Sequence, residues 1–131
     1  MQALEPTSSM SNDPSRGEVH FAVSGFWDIE RMGSFLRGLS KTALPLVDLD
    51  GPIHAFGDMT DFVAQNRETG DAIRDHLVQS RKFGLTRVAI FGASSLVKLQ
   101  YARLSDGLDV EFFDNKAEAL AWLRRPYADA A

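Results

Sequence analysis

The sequence predicts an α/β domain with a four-to-five-stranded, mostly parallel sheet that carries helices on both of its faces. Two observations support this prediction. Segments with strand patterns alternate along the chain with segments of helical periodicity, in the order β-α-β-α-β-α-β-α, which is typical of parallel strands joined by helical crossovers. Residues 88–91 are apolar on both faces, as expected of a central strand that is covered on each side.

The chain of 131 residues is predicted to form one domain with a short tail at each end. Residues 1–17 are rich in Ser, Pro, Asn and Asp and show no apolar periodicity, so a disordered N-terminal tail is expected. Pro126 ends the last helical pattern. The domain is therefore assigned to residues 18–126, and residues 127–131 form a C-terminal tail.

The domain begins with a strand and an amphipathic helix. Residues 18–26 alternate between apolar and polar side chains, which predicts a half-exposed strand. Asp28 is a suitable cap for the next helix, whose apolar residues recur at helical spacing: Ile29, Met32, Leu36 and Leu39.

A second strand is predicted at residues 44–49, although Pro45 interrupts it near its start. A loop that contains Gly57 is expected after it. Helical segments then follow from about residue 58 to residue 83, with a break at the Thr69-Gly70 pair.

The second half of the domain repeats the alternation. The strand at residues 88–91 is followed by a helix capped by Ser94 or Ser95, and the last strand lies at residues 110–113. Asp114 or Asn115 caps the final helix.

Composition excludes several classes of function. A net charge of −4 and scattered basic residues do not favour nucleic acid binding, and the absence of cysteine excludes disulfides and thiolate sites. The three histidines lack metal-ligand spacing, so no metal and no cofactor are expected. No apolar run approaches the ~18 residues of a membrane span, and no secretion signal is visible. We therefore expect a soluble cytoplasmic protein.

Apolar side chains near the predicted βα loops suggest a binding site. Ligands of such sheets bind at the carboxyl ends of the strands, and the loops there carry carboxylates but no Lys or Arg, which disfavours a bare phosphate. The hypothesis is an apolar pocket for a hydrophobic small molecule or a lipid. Its candidate residues are Trp27, Phe56, Met59 and Phe62, with Asp48, Asp58 and Ser94 at the mouth. The alternative is that the aromatic residues only cap the core.

Two short motifs resemble enzyme signatures but lack the rest of the site. Asp48 and Asp50 resemble the Asp-x-Asp pair of haloacid-dehalogenase-type phosphatases, yet no later acidic pair for magnesium follows. Gly92 after a central strand resembles a dinucleotide-binding turn, yet the further glycines are missing. A magnesium-dependent phosphatase remains a remote alternative, and the turn is interpreted as a helix start.

The C-terminal half resembles the SpoIIAA-like proteins, relatives of the STAS domain that are similar to the CRAL-TRIO lipid-binding fold. The resemblance rests on the segments LTRVAIFGASSLVKLQYARL and GLDVEFFDNKAEALAWLRR, and the segment VHFAVSGFWDIERMGSFLRGL fits the family's opening. It covers about residues 18–125 and is strongest over residues 85–124. It implies a STAS-like regulatory or ligand-binding domain that is not an enzyme.

The resemblance also raises a rival role as a protein-interaction module of the anti-sigma-factor-antagonist type. Members of that type carry a phosphorylated serine, and the corresponding place here offers Thr60 between Asp58 and Asp61. A phosphate on Thr60 would meet like charge. The partners expected are therefore a hydrophobic small molecule or lipid first and a regulatory protein second. Peripheral contact with a membrane and a homo-oligomer are further alternatives.

Overall fold

The computed structural model describes residues 5–49, 51–105 and 107–126. Within them lies one five-stranded sheet with the strand order β1-β2-β3-β4-β5, in which β1 is antiparallel to β2 and all other neighbours are parallel. The strands are β1 Thr7–Asp13, β2 Glu18–Gly25, β3 Ile53–Phe62, β4 Leu85–Phe91 and β5 Asp109–Phe113. The helices are α1 Ile29–Val47, α2 Arg67–Lys82, α3 Ser95–Leu104 and α4 Lys116–Leu123. The predicted fold class is thereby confirmed.

The four helices are divided unequally between the two faces of the sheet. Residues of α1, α2 and α3 share one apolar core with β2 to β5, whereas α4 packs with Phe56 and Ala89 in a second core on the opposite face. Right-handed crossovers that always move to the next strand place their helices on the same side. The result is a layer of three helices on one face and a single helix on the other.

The N-terminal segment contains a strand, so the prediction of a disordered tail was wrong for residues 7–13. They pair with β2 in continuous register, from Thr7 opposite Ser24 to Asp13 opposite Glu18. The segment has little apolar surface, but its backbone finds hydrogen-bond partners along the edge of β2. The side-chain amide of Asn12 also donates to the carbonyl oxygen of Thr42 in α1 at 2.9 Å. Residues 1–4 and the predicted tail 127–131 lie outside the described residues.

The predicted strand at residues 44–49 was also wrong, because residues 44–47 are the last turn of α1. Leu46 continues the buried stripe of that helix. Pro45 is exposed, so the carbonyl group that loses its hydrogen-bond partner lies on the solvent side, where water can replace it. A proline near the end of a helix is therefore tolerated here.

Residues 53–62 form the longest strand, β3, where a loop and the start of a helix were expected. Gly57 lies within it, and a Cβ atom at this position would collide with the ring of Phe21. The glycine therefore allows an aromatic side chain to cross the strand closely, which is a common reason for glycine inside a sheet. Helix α2 then begins after its cap Asn66 and continues without a break through Thr69.

Three predicted helix starts are confirmed. The side chain of Asp28 accepts a hydrogen bond from the backbone of Arg31 at 2.7 Å, and the Ser94 hydroxyl accepts from Val97. Asn115 caps α4 in the same way. These caps fix the points at which the chain leaves the carboxyl ends of β2, β4 and β5. None of the described helices has the length and apolarity required to cross a bilayer.

Candidate functional site

An apolar cavity of about 230 Å³ lies between the C-terminal halves of α1 and α2. Its floor is formed by the sheet and includes Ile53 and Ala55 of β3. Leu39 and Ala43 line it from α1, and Ser80 lines it from α2. Since β3 starts at Ile53, this cavity lies towards the amino end of the parallel strands.

A second, smaller space of about 60 Å³ lies next to this cavity, further into the core. The two spaces share the side chains of Phe21, Leu39, Ala55, His76 and Leu85, so they are neighbouring parts of one cleft. We call the larger part the outer cavity and the smaller one the inner cavity. The inner cavity is bounded towards the carboxyl end of the sheet by further buried side chains, among them Met59, Phe62 and Tyr101.

Two large apolar side chains stand at the mouth of the outer cavity. Leu44 near the end of α1 is 58% exposed, and Phe83 just after α2 is 61% exposed. Single exposed apolar residues are normal on protein surfaces. Two that flank one apolar opening indicate a surface suited to contact with a nonpolar molecule.

His76 is the only polar residue of the described chain that lines both parts of the cleft. It lies on the buried stripe of α2 and is partly buried. Removal from water lowers the pKa of His76, because burial disfavours the charged form. The imidazole is therefore neutral near pH 7.

The opposite face of the sheet is closed at the same end by a charged cluster. Glu18 at the start of β2 is 1% exposed and accepts two hydrogen bonds from Arg124, with Nε to Oε2 at 2.9 Å and Nη2 to Oε1 at 3.1 Å. His20 contacts the same carboxylate at 2.9 Å. Burial raises the pKa of Glu18, but the hydrogen bonds and charges of Arg124 and His20 outweigh it and lower the pKa below 4.5. The cluster ties the end of α4 to β2.

The four apolar candidates predicted from the sequence are all buried in the core, and they do not all line one pocket. Met59 and Phe62 do line the inner cavity. Trp27 packs instead against Phe35, with ring centroids 5.4 Å apart, and its indole nitrogen donates to the carbonyl oxygen of Ser24. Phe56 points to the opposite face and packs with α4. The structure thus brings together two of the four.

The predicted polar mouth residues do not converge. Asp48 is the C-cap of α1 and so lies at the opposite end of the sheet from Ser94, the cap of α3. Asp58 accepts hydrogen bonds from the backbone and the hydroxyl group of Thr60, at 3.0 Å and 2.6 Å. Asp48 follows a helix rather than a strand, which is not the context of the phosphatase motif, and Asp50 lies outside the described residues.

Thr60 lies in a polar groove of about 280 Å³ on the uncovered part of the sheet. Asp58 and Asp61 line the same groove together with hydroxyl groups of β1 and β2. No Arg or Lys lines it among the residues that the structure describes. A phosphate on Thr60 would therefore meet two carboxylates and no described cation, as the sequence suggested.

Gly92 takes part in a tight turn with a φ of +79°, and a Cβ atom there would collide with Thr60. Its backbone N–H donates to the carbonyl oxygen of Phe113 at 3.0 Å. The glycine is thus required by the close approach of β3, and a role in binding a pyrophosphate is not needed to explain it. In the described ranges no group of three or more His, Asp or Glu side chains could hold a metal ion.

Sequence reasoning missed the mouth residues Leu44 and Phe83 and the outer wall at Ala43. Ala43 and Leu46 continue the apolar stripe of α1 from Leu39 at helical spacing. That periodicity could have revealed the longer helix. No pattern in the sequence indicates that the space between the ends of two helices stays unfilled.

No curated protein matches the chain. The fold is similar to the crystal structure of an uncharacterized protein with a SpoIIAA-like fold from Shewanella loihica PV-4, with a TM-score of 0.60 and 23% identity over 91% of this chain and 95% of that chain. At this identity the likeness concerns the fold. A family model described as SpoIIAA-like matches residues 19–124, which is most of the chain and the region of the resemblance noted in the sequence. The chain therefore belongs to the SpoIIAA-like family.

Proposed function

We propose that this protein binds a small apolar molecule in the cleft between α1 and α2, without catalysing a reaction on it. The observation that supports the proposal is the unfilled apolar cavity of about 230 Å³ with Leu44 and Phe83 at its mouth. The site differs from the one expected from the sequence in its position, at the amino end of the sheet, but serves the same class of ligand.

An empty apolar cavity of this size is unfavourable for the folded protein. Residual cavities destabilise by about 24 cal/mol per Å³, so a fully enclosed cavity of about 230 Å³ would destabilise by on the order of 5 kcal/mol. The open mouth reduces this penalty, because water can enter the outer part. A nonpolar ligand would recover van der Waals contacts and displace that water.

The size of the cavity limits the ligand. A cavity of about 150 Å³ holds benzene, so about 230 Å³ corresponds to roughly nine or ten carbon atoms by the same ratio. Small ligands gain between about 0.3 and 1.5 kcal/mol per heavy atom. A ligand of ten atoms at about 0.6 kcal/mol each would bind with a Kd on the order of 10–100 µM.

Naphthalene, with its ten carbon atoms, is a suitable probe. We expect it to bind the purified protein with one-to-one stoichiometry in an NMR titration and to shift the signals of residues around Ala43 and Ile53, which line the outer cavity. Saturation should also raise the melting temperature, because the ligand binds the folded state. If naphthalene neither shifts these signals nor raises the melting temperature, the proposal is wrong.

A pair of substitutions separates binding in the cleft from binding elsewhere. Ala43 on α1 is half-buried and lines the outer cavity, whereas Ala72 on α2 is half-buried and does not. Ala43→Phe should fill the space and weaken naphthalene binding at least tenfold. Ala72→Phe is the matched control and should leave the affinity unchanged.

The rival role as a phosphorylated regulatory module has less support. Thr60 donates its hydroxyl hydrogen to Asp58, and Asp61 lines the same groove. A phosphate at this position would be repelled by both carboxylates. We therefore place the ligand in the apolar cleft and assign no regulatory role to Thr60.

A further inference from the structure

The polar side chains of the cleft differ in how they can meet a ligand. Ser40 and Gln79 are exposed at the mouth, and the hydroxyl group of Ser80 donates to the carbonyl oxygen of His76 at 2.8 Å. Tyr101 lines only the inner cavity. His76 lines both parts, so a molecule in either part can reach it.

The ring nitrogens of His76 are available to form hydrogen bonds with a ligand. In the part of the chain that the structure describes, neither of its ring nitrogens forms a hydrogen bond or an ion pair, and neither is sealed from accessible space. A neutral imidazole has one nitrogen that donates and one that accepts. It can therefore bind a hydroxyl or carbonyl group of a ligand in an otherwise apolar surrounding.

The charges of the lining residues determine which polar group of a ligand the cleft can accommodate. No Asp, Glu, Lys or Arg of the described residues lines either part of the cleft. Placing a carboxylate or an ammonium group there without a partner is strongly unfavourable, whereas a hydrogen-bonded neutral group is tolerated. The chemistry of the lining thus favours an uncharged polar group.

We propose that the ligand is a small neutral amphiphile, an alcohol or a ketone with an apolar body of about nine or ten carbon atoms, and that His76 binds its single polar group. The inference rests on the proposed function and adds the chemical class of the ligand. A purely apolar site, by contrast, would not bind an alcohol more tightly than the corresponding hydrocarbon. It also excludes a fatty acid carboxylate as the preferred ligand.

Three probes with the same ring system test the inference: naphthalene, 2-naphthol and 2-naphthoate, titrated at pH 7 into the purified protein. A net gain of about 1 kcal/mol for one neutral hydrogen bond corresponds to roughly fivefold in affinity. We expect 2-naphthol to bind about fivefold more tightly than naphthalene, and 2-naphthoate to bind most weakly. Tightest binding of 2-naphthoate would overturn the inference.

Substitutions at His76 then identify the residue that is responsible. His76→Phe keeps a ring of similar size, so naphthalene affinity should stay within about twofold while the preference for 2-naphthol disappears. His76→Gln retains a donor and an acceptor and should restore part of the preference. It also tests whether a change seen in His76→Phe is caused by misfolding rather than by the missing hydrogen bond. Tyr101→Phe should leave the preference intact.

The outcomes distinguish this inference from the proposed function. Equal affinity of the parent protein for naphthalene and 2-naphthol would leave the apolar site in place and reject the role of His76. A preference that survives in His76→Phe, or one that is lost only in Tyr101→Phe, would reject it as well. If naphthalene fails to bind, the proposed function itself fails.

Discussion

The interface between α1 and α2 is packed more closely towards the carboxyl end of the sheet, where only the inner cavity of about 60 Å³ remains, than towards the amino end. Towards the carboxyl ends of the strands, the ring of Phe35 packs edge-on against Trp27 and Phe21, with centroids 5.4 Å and 6.1 Å apart. Towards the amino ends, the same helices enclose a cavity of about 230 Å³ with Leu44 and Phe83 at its mouth. The two ends of the same helix pair thus differ in how closely they are packed.

The topology explains why the carboxyl end offers no crevice between helices. Binding crevices in open parallel sheets form where the strand order reverses and successive helices go to opposite faces. Here the order β2-β3-β4-β5 never reverses, and α1, α2 and α3 share one face. The general rule about carboxyl ends therefore does not apply, and the unfilled space lies between the later turns of two neighbouring helices.

The largest expected effect concerns the packed end. Phe35 is buried, contacts two aromatic rings and borders the inner cavity, so Phe35→Ala removes a large side chain and enlarges the inner cavity. We expect the free energy of unfolding to fall by about 3–5 kcal/mol, measured by urea denaturation. A loss below about 1 kcal/mol would mean that this end is packed as loosely as the cavity end.

The second effect concerns the face that carries α4. Arg124→Ala leaves Glu18, which is 1% exposed, without its main cationic partner, and breaking a buried pair in this way costs about 3 kcal/mol. Glu18→Gln should cost less, because the side chain of Arg124 is 33% exposed and water can solvate it. Urea denaturation of both variants checks the order. If Glu18→Gln destabilised the protein more than Arg124→Ala, the unpaired buried carboxylate would not be the main source of the loss in stability.

The same pair makes a prediction about pH. The pKa of Glu18 is lowered in the folded protein, since the interactions with Arg124 and His20 outweigh the effect of burial. The unfolded state then binds the proton more readily, so the stabilisation is complete above about pH 4.5 and is lost as the pH falls through the lowered value. Between pH 6 and pH 3 the parent should therefore lose more stability than Glu18→Gln. Parallel curves for the two proteins would contradict this.

A smaller effect is expected at the mouth of the cavity. Phe83 is 61% exposed, so Phe83→Ala should change the free energy of unfolding by at most about 0.5 kcal/mol. It should weaken naphthalene binding about three- to tenfold, because the ring borders the opening. Leu99→Ala is the matched control, since Leu99 on α3 is 59% exposed and does not line the cleft. Equal effects of the two substitutions on binding would show that Phe83 has no special role.

The sequence was informative wherever a local pattern decides the structure. The sequence predicts β2 from its alternation and β4 from its apolar run. It also predicts three helix caps that the structure contains: Asp28, Ser94 and Asn115. Each is determined by neighbouring residues within one or two turns. The fold class follows from their order along the chain.

Errors occurred where distant contacts override a local pattern. Residues 7–13 form a strand because the edge of β2 is available to them, and the polar composition of the segment does not reveal this. Gly57 suggests a loop until the ring of Phe21 is placed across it. The class of ligand could be proposed from composition, but its position could not, because a cavity is a property of how two helices meet.

The smallest expected effect concerns Asp58, which the sequence predicted at the mouth of the binding site. Asp58 accepts hydrogen bonds from the backbone and the hydroxyl group of Thr60 at the carboxyl end of β3. Asp58→Asn keeps an acceptor oxygen and removes one of the two negative charges in the groove, so the free energy of unfolding should change by at most about 0.5 kcal/mol. Because Asp58 does not line the apolar cleft, the affinity for naphthalene should stay the same. A change of more than threefold in that affinity would place the ligand at the carboxyl end after all, since Asp58→Asn can act directly only on a molecule that contacts the polar groove.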